Sequence, residues 1–246
     1  MKIRDSLVLV TGASRGLGLS LVRAMLEGGA RRVYAGARRA ESLAELRGLA
    51  PDRVVPLRLD VTAPSSIAAA AREVGALTLL VNNAGVLASG SVLASSEEQV
   101  AQDFATNVFG LLATTRAFLP ALERGAAAGG AALVNVLSVV SLASVPPLGA
   151  YSASKAAAFS LTQALRSELQ PKGIAVHGVF PGPIDTDMTR SMDMPKTSPD
   201  VVAAAILSGV EQGLEEISPD PVSLAALATW RASPGALERQ FARMMG

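Results

Sequence analysis

The chain has 246 residues, half of them hydrophobic, with 22 Lys and Arg against 21 Asp and Glu and a formal net charge of +1. Such a composition supplies a large core, and near-neutrality without a long basic run excludes nucleic acid as the expected partner. The chain has no cysteine, which excludes disulfides and thiolate metal sites and fits a reducing cytoplasm, the compartment expected here.

The opening MKIRDSLVLVTG runs directly into a first apolar stretch, Leu7 to Val10, too short for the core of a signal peptide. Further apolar runs follow at Arg32 to Ala37, Val54 to Leu59, Leu77 to Val81, Ala131 to Leu137 and Ile174 to Phe180. Each is nearly continuous in hydrophobicity, as strands covered on both faces by crossover helices must be. Alternating with helical stretches and separated by no linker, they predict a single α/β domain over residues 1–246. The predicted architecture is a doubly wound parallel sheet in three α/β/α layers.

The first run ends in Thr11-Gly12-Ala13-Ser14-Arg15-Gly16-Leu17-Gly18, and a helical pattern through Leu21, Val22, Met25 and Leu26 follows at once. Glycines there let the backbone turn tightly against a pyrophosphate, whose charge the helix N-terminus favours. The spacing departs from G-x-G-x-x-G, so the strand before and the helix after carry this reading; alone, these are turn glycines. About 20 residues further on, where an NAD site places an acid, the chain reads Ala35-Gly36-Ala37-Arg38-Arg39. Arg38 and Arg15 suit the 2′-phosphate of NADP(H), the cofactor expected to be preferred, while Glu41 keeps NAD(H) open.

Asp60-Val61 follows the third run and Asn82-Asn83-Ala84-Gly85 closes the fourth. Ser95 with Glu98 and Ser96 with Gln99 form overlapping capping boxes ahead of a helical stretch, Val100 to Leu112, that contains Asn107. Gly125 through Gly130 reads as a small-residue loop. The most apolar region, Ala126 to Leu148, is interrupted by glycine, prolines and polar residues, so no membrane span is expected. Ser138 follows the fifth run, and Tyr151-Ser152-Ala153-Ser154-Lys155 opens a long helix.

Tyr151 and Lys155, four apart, share one helix face. An ammonium within a few ångströms is expected to stabilise phenolate, and lowering a pKa near 10 by about 3 units corresponds to roughly 4 kcal/mol. Singly, Ser138 also reads as a strand-end turn residue and Asn107 as a mid-helix polar one. His177, inside the sixth run, reads as a satisfied core histidine, and no acid cluster has metal-ligand spacing, so no metal is expected. Pro181-Gly182-Pro183-Ile184-Asp185-Thr186 is a sharp turn after that run, and Met188 to Pro199 reads as a mobile cover, assigned to residues 187–199. Ser198 before Pro199 marks a helix start.

Taken together and in order, TGASRGLG, Asn82 to Gly85, Ser138 and the Tyr151–Lys155 pair resemble the short-chain dehydrogenase/reductase family from about Leu7 to Met188. The resemblance implies a Rossmann-fold oxidoreductase that interconverts a carbonyl and an alcohol by hydride transfer. Tyr151 is then the general acid–base, and Ser138 holds the substrate oxygen. Lys155 also binds the nicotinamide ribose, and Asn107 completes a proton relay through water. Gly12, Ser14, Arg15, Gly16, Leu17 and Gly18 fall at the phosphates, with Arg38 beyond them. Asp60 and Val61 match the pair beside the adenine. Asn83, Ala84 and Gly85 match the segment near its ribose, and Pro181, Gly182, Ile184 and Thr186 the nicotinamide carboxamide.

Leu87, Val139, Val140, Leu142, Val145, Met188, Met192 and Met194 suggest an apolar pocket, hence a hydrophobic ketone, aldehyde or secondary alcohol as the small-molecule partner. The pattern departs from the family after Glu215. Where many members finish with a strand and a Gly-rich end, Glu215-Glu216-Ile217-Ser218-Pro219-Asp220-Pro221 leads into two further helical stretches within residues 222–246. That departure leaves homodimer and homotetramer as alternatives. A non-catalytic NADP(H)-binding sensor or regulatory protein is the alternative function, against which the complete Asn107, Ser138, Tyr151 and Lys155 set argues.

Overall fold

The computed structural model describes residues 1–88 and 90–243. Strands β1 (Leu7–Thr11), β2 (Arg32–Ala37), β3 (Val54–Arg58), β4 (Leu79–Asn82), β5 (Ala131–Val136), β6 (Ile174–Val179) and β7 (Glu216–Ile217) form one sheet. All neighbours are parallel, in the order β3-β2-β1-β4-β5-β6-β7. The crossovers carry α1 (Gly16–Glu27), α2 (Ala44–Leu49), α3 (Pro64–Glu73), α4 (Glu97–Phe104), α5 (Leu111–Ala127), α6 (Gly149–Leu169) and α7 (Pro199–Gln212). A helical pair, α8 (Pro221–Ala232) and α9 (Pro234–Ala242), follows β7.

Both faces of the sheet are dry, which is why its strands read as unbroken apolar runs. In β1, Val8 and Val10 pack with Leu21 and Met25 of α1 and Ile206 and Val210 of α7. Leu9 turns the other way, into a core with Phe118 and Leu122 of α5 and Phe159 of α6. Between the central strands and the helices runs a buried polar chain. The Asn82 amide donates to Asn135 at 2.9 Å and the Asn135 amide to Thr162 at 3.0 Å. It ties β4 and β5 to α6, and so fixes the helix that carries Tyr151 and Lys155. The strand order reverses between β1 and β4, which opens a crevice at the carboxyl ends of the strands.

Several elements differ from their sequence signals. Glu216–Ile217, expected to replace a terminal strand, is one: it pairs with Gly178 and Val179 of β6. Its two residues leave no periodicity to read. Gly125 to Ala127 belong to α5, and the loop is shorter than expected. A Cβ on Gly125 would stand 1.9 Å from the Leu77 carbonyl oxygen, so the glycine lets the helix lie against the sheet. Of the two overlapping caps, Ser96 with Gln99 is the one that forms, starting α4 at Glu97. The stretch predicted as plain helix around Asn107 contains a π-helical turn, Ala105–Gly110, a form that recurs at functional sites. Helix α6 starts two residues before Tyr151. Of the C-terminal stretch 222–246, residues 244–246 lie outside the described residues.

Candidate active site

Directly above the β1/β4 switch point lies a cleft of about 720 Å³. Its first wall is the glycine turn. Gly12 and Gly16 have φ of +66° and +54°, which side-chain-bearing residues rarely adopt. A Cβ on Gly18 would fall 2.1 Å from the Gly12 carbonyl oxygen, so that glycine sets how closely α1 abuts the strand end. The turn is braced from behind. The Asn83 amide donates to the Thr11 and Gly12 carbonyls at 2.9 and 3.2 Å, and the Thr11 hydroxyl accepts from the Asn83 and Ala84 N–H groups.

No side chain caps α1 and no acid stands in its first turn, so its N-terminal N–H groups face the cleft as a ready anion site. Arg38 lies exposed at the end of β2 and acts on Asp60, whose carboxylate is held below its usual range by hydrogen bonds from the Thr62 hydroxyl and N–H and then by Arg38. Arg15 also lines the cleft, but its guanidinium meets Asp187 at 3.2 Å across the opening.

The opposite wall carries Ser138, Tyr151 and Lys155. Ser138 lies two residues past the end of β5 and caps a 3-10 turn, Val139–Ser141. Its hydroxyl accepts from Val140 N–H at 3.4 Å and donates to Pro181 O at 3.5 Å, and it also faces the Tyr151 phenol. Tyr151 is buried, with Lys155 Nζ 5.8 Å from its ring centroid. Lys155, 5 % exposed, donates to the Val136 carbonyl at 2.8 Å.

The expected lowering of the phenol by the ammonium is reversed here. Burial pushes Tyr151 up to about 12, opposed by a hydrogen bond with Ser138 and reinforced by the Asp103 charge. Burial also pushes Lys155 down to about 8, opposed by Asp103. Both charged forms lose water, and that loss is the largest cause of each shift. In this state the Tyr151 phenol keeps its proton.

All the sequence-predicted nucleotide contacts line this one cleft: Gly12, Ser14 to Gly18, Arg38, Asp60, Val61, Asn83 to Gly85, Pro181, Gly182, Ile184 and Thr186. Asn107 does not line it. Its side chain clamps the neighbouring segment, accepting from Val86 N–H and donating to Val86 O, both at 3.0 Å, and donating to Ser154 at 2.9 Å. Leu142 likewise packs behind the cleft, while Leu87, Val139, Val140, Val145, Met188, Met192 and Met194 reach it. The segment expected to be a cover is clasped at its base, where Asp185 N–H bonds Thr197 O and Thr197 N–H bonds Pro183 O, each at 2.9 Å.

Four contributors escaped the sequence reading. Phe241 of α9 and Val222 of α8 wall the apolar end, and Phe241 and Leu237 pack in one cluster with Tyr151. Asp220 accepts from Gly182 N–H at 2.8 Å while capping α8. Its place before Pro221 was the available signal. Asp103 of α4 is fully buried, which nothing in its helical setting announced. Among the described residues no group of three His, Cys, Asp or Glu is placed to hold a metal, and no helix is long and apolar enough to cross a membrane.

A parallel sheet with a glycine turn at its switch point, facing a Tyr–Lys pair across one cleft, is the arrangement of a Rossmann-fold oxidoreductase. A model of the short chain dehydrogenase family matches residues 6–196, and the chain belongs to that family. A relative, short chain dehydrogenase tazN of Aspergillus terreus, is 36% identical over 76% of this chain and 43% of its own. The chain thus spans less than half the length of that protein. The 3-oxoacyl-[acyl-carrier-protein] reductase FabG of Vibrio cholerae is 30% identical over 96% and 93% of the two chains. A short chain dehydrogenase of Burkholderia cenocepacia, solved with NADP, superposes with a TM-score of 0.91 at 38% identity, covering 98% and 99%. One from Burkholderia phymatum, solved with NAD, gives 0.83 at 26% identity over 98% and 96%.

Proposed function

We propose that the protein is an NADP(H)-preferring oxidoreductase, with NAD(H) as a weaker alternative, that interconverts an apolar ketone or aldehyde with its alcohol. The observation that carries this reading is the convergence of Ser138, Tyr151 and Lys155 on the same cleft as an uncapped, glycine-lined helix N-terminus. The residues fit a dinucleotide. Helix α1 offers N–H groups to a pyrophosphate, the end of β2 presents Arg38 where an acid would repel a 2′-phosphate, and Lys155 stands at the nicotinamide end. The NADP bound to the structurally similar Burkholderia cenocepacia protein supports the same assignment.

When bound, the nicotinamide supplies or takes up a hydride at the substrate carbon. The protein's own work is proton transfer and charge placement. In reduction Tyr151, a buried phenol, gives its proton to the carbonyl oxygen as that oxygen gains charge. The Ser138 hydroxyl, which faces Tyr151 and is otherwise engaged only at 3.4–3.5 Å, is available to hold the oxygen. The Lys155 ammonium then sits close enough to stabilise the phenolate left behind. Asn107 fixes the Val86 backbone beside them, and Val139, Val140, Phe241 and the methionines keep water out and favour an apolar substrate.

The test is oxidation of NADPH and NADH, followed by absorbance, against a panel of aromatic and aliphatic ketones and charged keto acids, with Tyr151→Phe in parallel. The expected result is NADPH-dependent turnover of apolar ketones that the variant loses by about a hundredfold or more. Equal turnover by Tyr151→Phe, or clear preference for charged keto acids, overturns the reading.

A further inference from the structure

Asp103 is fully buried on α4, one helical turn before Asn107. A carboxylate without water is costly unless paired, yet among the described residues only one of its oxygens is bonded: Oδ1 accepts from Ala88 N–H at 3.1 Å, and Oδ2 has no hydrogen-bond partner among them. Asp103 and Asn107 thus grip consecutive parts of the same segment, Ala88 and Val86, and Asn107 reaches on to Ser154, next to Lys155. Across that segment, the position a Cβ on Gly85 would take is 3.2 Å from Asn107 Oδ1 and 3.6 Å from Lys155 Nζ. Lys155 is the other buried charge of this region. Its hydrogen bond goes to a neutral carbonyl, Val136 O, which satisfies one proton and none of the charge.

We propose that Asp103 is a positioning residue of the Tyr151–Lys155 pair: the buried counter-ion of the Lys155 ammonium. This rests on the catalytic reading of that pair. The charge acting on Lys155 among the described residues is that of Asp103, and the titratable groups in electrostatic contact with Asp103 are Lys155 and Tyr151, both on α6. Beside the ammonium lie the Val136 carbonyl of β5 and the Gly85 backbone, which do not titrate, and the Tyr151 ring, whose centroid is 5.8 Å away. The sign follows. A carboxylate favours the ammonium over the amine and disfavours phenolate, so Asp103 holds both groups more protonated than burial and Ser138 alone would leave them.

The chain has four lysines, Lys2, Lys155, Lys172 and Lys196, so 13Cε-labelled lysine gives a resolvable NMR titration, with Lys155 assigned by its loss in Lys155→Met. In Asp103→Asn, which can still accept from Ala88 N–H, the Lys155 midpoint is expected to fall by about half a pH unit or more. Asp103→Glu, which keeps the charge, should restore it towards the native value. Asp103→Ser, also uncharged and able to accept, serves if Asp103→Asn does not fold. An unchanged midpoint in the uncharged variants overturns the assignment. Because the titration needs no turnover, it separates the two claims: a shifted midpoint in a chain that reduces no carbonyl keeps the counter-ion and removes the enzyme. In an active enzyme, the acid limb of alcohol oxidation should move to lower pH in Asp103→Asn by the same amount.

Discussion

Replacing Gly18 by alanine tests the packing on which the cofactor wall depends. The added carbon would stand 2.1 Å from the Gly12 carbonyl oxygen, 2.9 Å from its carbon and 2.6 Å from Asn83 Nδ2. The amide can swing away, but only by releasing the Thr11 and Gly12 carbonyls it now holds. The Gly12 carbonyl is backbone on a positive-φ residue and has nowhere to yield, so α1 must back away from the strand end by about 1 Å to reach ordinary contact. Overpacking of this kind costs about 1–3 kcal/mol. For a chain of this size that is roughly 2–12 °C in Tm at about 2–4 °C per kcal/mol. The helix N-terminus moves with it, so NADPH affinity, read by calorimetry, should fall at least tenfold. Gly48 is the control: it lies in α2 with nothing within 4 Å of an added Cβ. Alanine there should leave affinity unchanged and raise stability by about 0.4–1 kcal/mol. Native Tm and native NADPH affinity in Gly18→Ala would refute the reasoning.

Arg38→Ala removes a charge-assisted donor from the 2′-phosphate end, so KM for NADPH should rise about 10- to 100-fold, on roughly 1.5–3 kcal/mol, while that for NADH barely moves. Equal losses for both cofactors would place Arg38 elsewhere. His177 predicts an acid dependence of stability. Its Nδ1 bonds Leu214 O at 2.6 Å, its buried Nε2 has no partner among the described residues, and burial holds its pKa below the ordinary 6.5. The folded chain therefore stays neutral there while the unfolded chain takes up a proton. That stability is fully present above about pH 6.5 and is lost as pH falls through the depressed folded value. Urea midpoints from pH 8 to pH 5 should decline, and less steeply in His177→Gln.

The sheet was legible because its strands are buried on both faces. Six of its strands lie in runs that, like Val8-Leu9-Val10, are apolar nearly throughout, and little but a doubly wound fold needs that. The glycine turn and the Tyr151–Lys155 pair were legible because a local spacing sets their geometry. The rest depends on contacts distant in sequence. Glu216–Ile217 becomes a strand only because the edge of β6 is there to pair with it. Asp103 looks like any polar residue on an amphipathic helix until the Gly85 to Ala88 segment covers it. Phe241 meets Tyr151's cluster across some ninety intervening positions, and no periodicity encodes such a meeting. The reversed Tyr151 pKa was hidden for the same reason: spacing shows that an ammonium is near, but not how much water both groups have lost.

The hairpin of α8 and α9 makes the wall of the cleft and part of the interior the same thing. Phe241 and Leu237 sit in a cluster with Val139, Val140 and Tyr151, and Asp220 fastens the start of that hairpin to Gly182. An apolar guest admitted there would complete a small core that otherwise ends at an open face. Affinity and local rigidity then rise together, and the helices that choose the guest are the ones it holds in place. Amide exchange in α8 and α9 would thus serve as a label-free reporter of which molecules fit.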